Sequence, residues 1–303
     1  MRFAPESVCD LLRNHCAICS GIAVRFEADC ATLPMTITDK RVHFESNTSY
    51  YKNVDNEIVH IVLFSGGLAS FETAKRVISD HDKNKVLLWF FDTLIEDQDT
   101  YRFIHDCENY FDVQVERLFD GRNIWEVFRD ERFIGNSQKC VCNRVLKRQL
   151  LEKTLKKRFP MKNVILYFGL EYNETTRISR LLSSWALKGY QVGIPLQYSP
   201  HLDRKLLIEL VKETHIPIPR MYKLGFVHNN CGGGCVKAGI KQWTQLFNLF
   251  PERFMWHERE ELITREYLNK DVSILRDRHD NQTKPLTLEN LRKRLTAIST
   301  HKL

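Results

Sequence analysis

Residues 58–70 read IVHIVLFSGGLAS, and this stretch decides the fold. Its first half is an apolar run rich in β-branched residues, the pattern of a strand buried on both faces. Its second half, Ser65-Gly66-Gly67-Leu68-Ala69-Ser70, interrupts that run with two glycines and leads directly into an amphipathic segment reaching about Ser79. Strand, glycine turn and helix make the first half of a βαβ unit, so a parallel sheet is expected.

The rhythm repeats outward. KVLLWFFD (85–92) predicts a second strand, a helix follows around Tyr101 to Tyr110, and QVERLF (114–119) predicts a third strand. Beyond them come a long amphipathic helix from Asn143 to about Phe159, stopped by Pro160, then the strand NVILYFGL (163–170). A helix from about Glu174 to Lys188 and a short strand near Val192 to Leu196 complete the pattern. The expectation is a doubly wound α/β fold with a parallel sheet in three layers, α/β/α. Residues 1–56 read as a small cysteine-containing N-terminal appendage ending in the polar SNTSYYKNVDNE (46–57), residues 57–235 as the nucleotide-binding domain, and residues 236–303 as a helical C-terminal region.

Composition narrows the classes. Forty-five Lys and Arg against 38 Asp and Glu give a formal charge of +7, concentrated in Arg144 to Arg158 and Arg292 to Arg294. Such density favours phosphate-bearing partners, while solvated helix faces explain it equally well. No run of about 18 apolar residues suggests a membrane span. The opening MRFAPESVCDLLRNHC carries acids and cysteines where a signal peptide needs a basic start and an apolar stretch, so a cytoplasmic protein is expected. In that compartment the nine cysteines point to metal rather than to disulfides.

The Ser65 to Ser70 loop sits where ligands bind open α/β sheets, at the carboxyl end of a strand. Glycines there let backbone N–H groups approach an anion, and the helix N-terminus adds a favourable dipole. An ordinary tight strand-to-helix turn would use the same residues. The Gly-Lys-Ser/Thr of P-loop NTPases is missing.

SGGLAS resembles the SGGxDS loop of the N-type ATP pyrophosphatases, the PP-loop superfamily, and the surrounding sequence is similar to its phosphoadenosine phosphosulfate reductase branch over about Ile58 to Trp256. Phe91-Asp92-Thr93 is similar to the Asp-Thr that the branch carries beside the nucleotide, and Gly169-Leu170-Glu171 through Arg177 to its Gly-Leu-Arg to Arg segment. IEDQDTYRF, IGNS, Cys142 to Lys147 and HNNCGGGCVKAG are similar to phage and prophage members of the reductase family. The resemblance implies a site for ATP with magnesium: Ser65, Gly66, Gly67, Leu68, Ala69, Ser70, Asp92, Thr93 and Gly169 hold nucleotide, and Asp92, Lys147 and Arg177 serve the chemistry. Ala69 stands where the pyrophosphatases carry Asp, so Glu96, Asp97 or Asp92 becomes the expected magnesium ligand. The C-terminal LTAISTHKL lacks the cysteine nucleophile of the sulfonucleotide reductases.

The cysteines form two close pairs, Cys140-x-Cys142 and Cys231-x-x-x-Cys235, the second enclosing three glycines that let the chain fold around a bulky cluster. By resemblance they imply a [4Fe-4S] cluster, although the branch carries Cys-Cys and Cys-x-x-Cys at these places. Zinc and plain reduced thiols are the alternatives. Cys9, Cys16, Cys19 and Cys30 are candidates for a second, structural zinc site or for simple apolar packing, Cys107 reads as core, and His228 as a loop residue that could orient a sulfur. The function expected is ATP-dependent adenylation of an acceptor, such as a nucleobase of tRNA or DNA, followed by sulfur transfer from a sulfur donor. A sulfonucleotide reductase using an external thiol reductant and a nucleotide-gated sensor or defence protein are the alternatives, with a homodimer as one candidate assembly.

Overall fold

The computed structural model describes residues 36–38, 41–43, 58–279 and 282–300. Cys9, Cys16, Cys19 and Cys30 lie outside the described residues. The chain divides into two units, Met1–Val54 and Asp55–Leu303. The first contains an antiparallel pair, β1 (Thr36–Thr38) and β2 (Arg41–His43).

The second unit is built on five parallel strands: β3 (Val59–Leu63), β4 (Val86–Asp92), β5 (Val115–Phe119), β6 (Val164–Phe168) and β7 (Gln191–Gly193). Their order across the sheet is β5-β4-β3-β6-β7. The chain winds outward first to one side of β3 and then to the other, which is the doubly wound α/β arrangement, and the crevice between β3 and β6 is the topological switch point. Period-two alternation sorts the side chains. Val62 and Phe64 with Leu88 and Phe90 join α1 (Leu68–Asp80), α2 (Gln98–Phe111) and α6 (Arg204–Glu213) in one core. Ile61, Trp89 and Phe91 face the other way, onto Leu151 and Leu155 of α4 (Leu150–Arg158) and Trp185 of α5 (Thr175–Ala186). Cys107 is fully buried in the first of these cores.

Three features depart from the sequence expectation. The helix expected to run unbroken from Asn143 begins as a π-helix, Asn143–Gln149, before becoming α4. Its apolar spacing over seven residues does not separate a wider turn from an ordinary one. A further helix, α3 (Ile124–Asp130), occupies a stretch given no element; Asn123 caps it by accepting from Trp125 N at 2.8 Å and Glu126 N at 3.2 Å. The C-terminal region contains α8 (Ile240–Leu249), α9 (Pro251–Leu268) and α10 (Leu288–Thr300), following the short α7 (Arg220–Lys223), but also an antiparallel hairpin, β8 (Leu275–His279) and β9 (Gln282–Leu286). It belongs to the same compact unit as the sheet. Its Trp243, Phe254, Leu275 and Leu291 share a third core with Trp125 and Phe128 of α3 and with Val145 and Leu146 of the π-helix. Among the described residues no helix is long and apolar enough to cross a membrane.

Candidate functional site

The glycine loop has the strand-turn-helix geometry that its sequence requires. Gly66 adopts φ +70°, and a Cβ there would stand 2.8 Å from the Thr100 methyl carbon. Gly67 caps α1 in an extended conformation, its N–H donating to Ser70 Oγ at 3.2 Å while that hydroxyl donates to Gly67 O at 2.8 Å. Ser65 Oγ donates to Ser70 Oγ at 3.1 Å. Of the six loop residues, only Ser65 is exposed and Ala69 half-buried; Leu68 is core, and Ser70 braces the turn from inside. Across the switch point, Gly169 at the end of β6 lies against the first turn of α1: a Cβ on it would meet Ala69 C and Ser70 N at 2.9 Å. Arg177 follows on the first turn of α5, exposed and paired with Glu174 at 2.5 Å.

The carboxylates expected to hold magnesium are all engaged. Asp92 is fully buried and accepts from Leu94 N at 2.7 Å, from Tyr101 Oη at 2.9 Å and from Arg117 Nε at 2.5 Å. Thr93 donates its hydroxyl to Glu96 Oε1 at 2.8 Å. Asp97 caps α2 by accepting from Asp99 N, and takes Arg220 Nε at 2.7 Å and Arg253 Nη2 at 2.8 Å. Burial opposes its charge, but the two arginines prevail and hold its pKa below the ordinary carboxylate value. These residues frame the site, and each carboxylate already accepts hydrogen bonds from its neighbours.

The two cysteine pairs lie near enough to interact. Cys140 Sγ and Cys142 Sγ lie 3.5 Å apart, and Cys231 and Cys235 are hydrogen-bonded to one another. The pairs also interact electrostatically across the group, Cys142 and Cys140 each with Cys235. Within each pair one sulfur is held acidic by its neighbour: Cys142 pushes Cys140 down to about 6, Cys231 pushes Cys235 down to about 7, and the two donors are pushed up. Each pair therefore titrates as a unit. Lys147 lies close to this group. Burial works against its ammonium, yet Glu96 and the thiols of Cys231, Cys235 and Cys142 raise its pKa. The residue keeps some accessible surface, while its charged end is enclosed. The π-helix that follows Cys142 directly is what carries Lys147.

Further side chains join the two halves. Glu96 accepts from Cys231 N at 2.5 Å, and burial raises its pKa against the pull of Lys147. Asn229, 2% exposed, donates Nδ2 to Gly66 O at 2.8 Å, bridging 163 positions of chain. Tyr222 sets its hydroxyl 3.0 Å from where a Gly67 Cβ would stand and 3.5 Å from Leu68 N. Arg253 donates to Gly232 O at 2.6 Å as well as to Asp97, and a Cβ on Gly234 would overlap the His257 ring. Glycine is thus required between the cysteines for close packing as much as for its φ of +53° at Gly232 and +88° at Gly233. The acid-rich IEDQD run and the doubled asparagine were the only sequence signals for these contacts; Tyr222 had none.

No known family profile matches the chain. It is similar to an uncharacterized protein of Methanocaldococcus jannaschii, 24% identical over 233 residues. The match takes in 76% of this chain and 45% of that protein, so the chain spans less than half the length of this relative.

The donor set has a defined chemistry. Thiols near a positive charge are in general the donors that soft metal ions and iron-sulfur clusters take, because such charge favours the thiolate form that binds metal. Among the described residues no three His, Cys, Asp or Glu converge as ligands of a single ion would; the thiols stand as two pairs. His228 keeps an exposed surface, while partial desolvation of its ring, followed by the nearby Arg204, lowers its pKa. Two surface cavities, of about 410 and 450 Å³, are lined by residues such as Lys212 and Ile218, and Lys241 and Leu249. Neither touches the glycine loop or the cysteines. Part of the basic charge is neutralised within the fold: Arg144 pairs with Glu131, Arg158 with Glu116 and Arg292 with Glu258.

Proposed function

We propose that the protein is an adenine-nucleotide-dependent enzyme of the PP-loop type, similar to the phosphoadenosine phosphosulfate reductase branch, that adenylates an acceptor and passes sulfur to it. The Asn229 to Gly66 hydrogen bond carries this reading, because it ties the loop suited to phosphate to the loop that bears Cys231 and Cys235. The N-terminal N–H groups of α1 and the glycine main chain attract the phosphates of ATP, and Arg177 on the first turn of α5 offsets their charge. Magnesium would arrive with the nucleotide, since Asp92, Glu96 and Asp97 are bonded elsewhere. An acceptor oxygen, on a nucleobase of tRNA or DNA, attacks the α-phosphorus and pyrophosphate leaves. A sulfur nucleophile then displaces AMP. An iron-sulfur cluster held by Cys140, Cys142, Cys231 and Cys235 would supply sulfide for that displacement, replenished by an external sulfur donor. Lys147 balances the negative charge of the thiolates, and Glu96 fixes the backbone of Cys231.

The test is anaerobic purification with iron, sulfide and zinc analysis, paired with ATP–pyrophosphate exchange. Iron and sulfide lost in a Cys231→Ala/Cys235→Ala variant, together with exchange lost in Gly67→Asp, support the reading. Zinc alone with no exchange leaves a nucleotide-binding sensor, a reading that Ala69 and the Tyr222 hydroxyl over Leu68 N favour. Thiol-dependent sulfite release from a sulfonucleotide would instead make the protein a reductase using an external thiol.

A further inference from the structure

Helix α9 is apolar on two sides. Its inner side buries Phe254, His257, Thr264 and Leu268. The outer side carries Met255, Leu262 and Ile263, which are 44%, 53% and 42% exposed. At 3.6 residues per turn, Met255, Arg259, Leu262 and Glu266 fall within about 60° of arc, with Ile263 beside them. Among the described residues, α3 packs elsewhere on the helix through Arg129 to Glu260, α10 through Arg292 to Glu258, and α8 through Trp243 against Phe254. Exposed apolar residues clustered on one helix face mark an interaction surface.

The charges on this face select the occupant. Arg259 and Glu266 are exposed and make no ion pair among the described residues, although the other charged residues of the mid-helix, Glu258, Glu260 and Arg265, each have a partner. The geometry points to a second copy of this chain, docked with its α9 antiparallel and a two-fold axis passing between Leu262 and Ile263. In that register Leu262 meets the partner's Ile263, and Arg259 of each copy meets Glu266 of the other, once on either side of the axis. A two-fold interface requires self-complementarity of this kind. A parallel arrangement would set Arg259 against Arg259. The surface is distinct from the proposed nucleotide and cysteine site, and its inner side braces that site through Arg253 and His257.

Sedimentation equilibrium of the full chain tests this. The wild type should dimerise at micromolar concentration, and Leu262→Glu should be monomeric with unchanged circular dichroism. Arg259→Glu and Glu266→Arg should each weaken the dimer about tenfold. The Arg259→Glu/Glu266→Arg double variant should restore it, because the pairing is exchanged rather than lost. A wild type that stays monomeric to about 100 µM overturns the proposal and leaves the face to another segment or partner. A dimer indifferent to Leu262→Glu, or a double variant no tighter than the single ones, overturns it equally.

Discussion

The glycine loop and the cysteine group share one edge of the molecule but are made in opposite ways. Ser65 to Ser70 is continuous in sequence: strand, turn and helix follow from local propensity, and Ser70 closes the turn on Gly67 three residues away. The cysteine group is assembled from separated segments, with Glu96 reaching Cys231 over 135 positions and Asp97 holding Arg253 over 156. A local device tolerates loss of distant contacts; an assembled one depends on every segment that reaches it.

The largest test of that contrast is Asp97→Ala. It releases Arg220 and Arg253, and through Arg253 the Gly232 carbonyl, from a carboxylate with no exposed surface. We expect a loss of about 2–4 kcal/mol in urea unfolding, less than for a fully buried pair because both arginines remain partly solvated. Metal content should fall with it while the glycine loop persists. A carboxylate with a lowered pKa stabilises the fold above the ordinary aspartate value of 3.8, and that contribution disappears as pH falls through the lowered value. The wild type should therefore lose more stability than Asp97→Ala between pH 4 and the acid limit, as read from unfolding midpoints.

Gly169→Ala strikes the local side. A methyl group 2.9 Å from Ser70 N must displace the first turn of α1, at a cost of about 1–3 kcal/mol in stability. Calorimetric titration should show ATP affinity falling at least tenfold, with the metal content of the chain unchanged. Equal loss of both properties would mean that the two devices are not separable.

Asn229→Ala cuts the tether between them. One buried hydrogen bond to Gly66 O is worth about 1 kcal/mol, and the coupling should weaken accordingly. Loading the cysteines with metal should then no longer change ATP affinity, whereas in the wild type it should. Arg177→Ala is the smallest change. Its side chain is exposed and, among the described residues, bonded to its neighbour Glu174, so stability should move by less than about 0.5 kcal/mol. ATP affinity should nevertheless drop severalfold, and an unchanged affinity would remove Arg177 from the phosphate site.

The buried strands were legible because VHIVL, VLLWFFD and VILYF are short apolar runs of the kind a sheet covered on both faces buries. The π-helical turn at Asn143 was not, since hydrogen-bond register leaves no mark on a short amphipathic pattern. The β8–β9 hairpin was missed for another reason: LRDRH and QTKPL are polar, and their pairing is stabilised by the surrounding core. Lys147 was legible as basic, but a lysine in a basic helix carries no sign that its charged end is enclosed beside thiols and Glu96.

The sequence by itself determined the doubly wound sheet, the glycine loop at the end of its first strand and the pairing of cysteines in two short motifs. Each of these is written in contiguous residues, where apolar period, glycine and spacing act locally. Only the tertiary structure decided that Glu96, Asn229 and Tyr222 knit the two motifs together, that Asp92 and Asp97 are engaged by arginines, and that α9 keeps an apolar face turned outward. Those outcomes depend on which distant side chains share a buried volume, and hydrogen bonds formed there are settled by packing that no local pattern encodes.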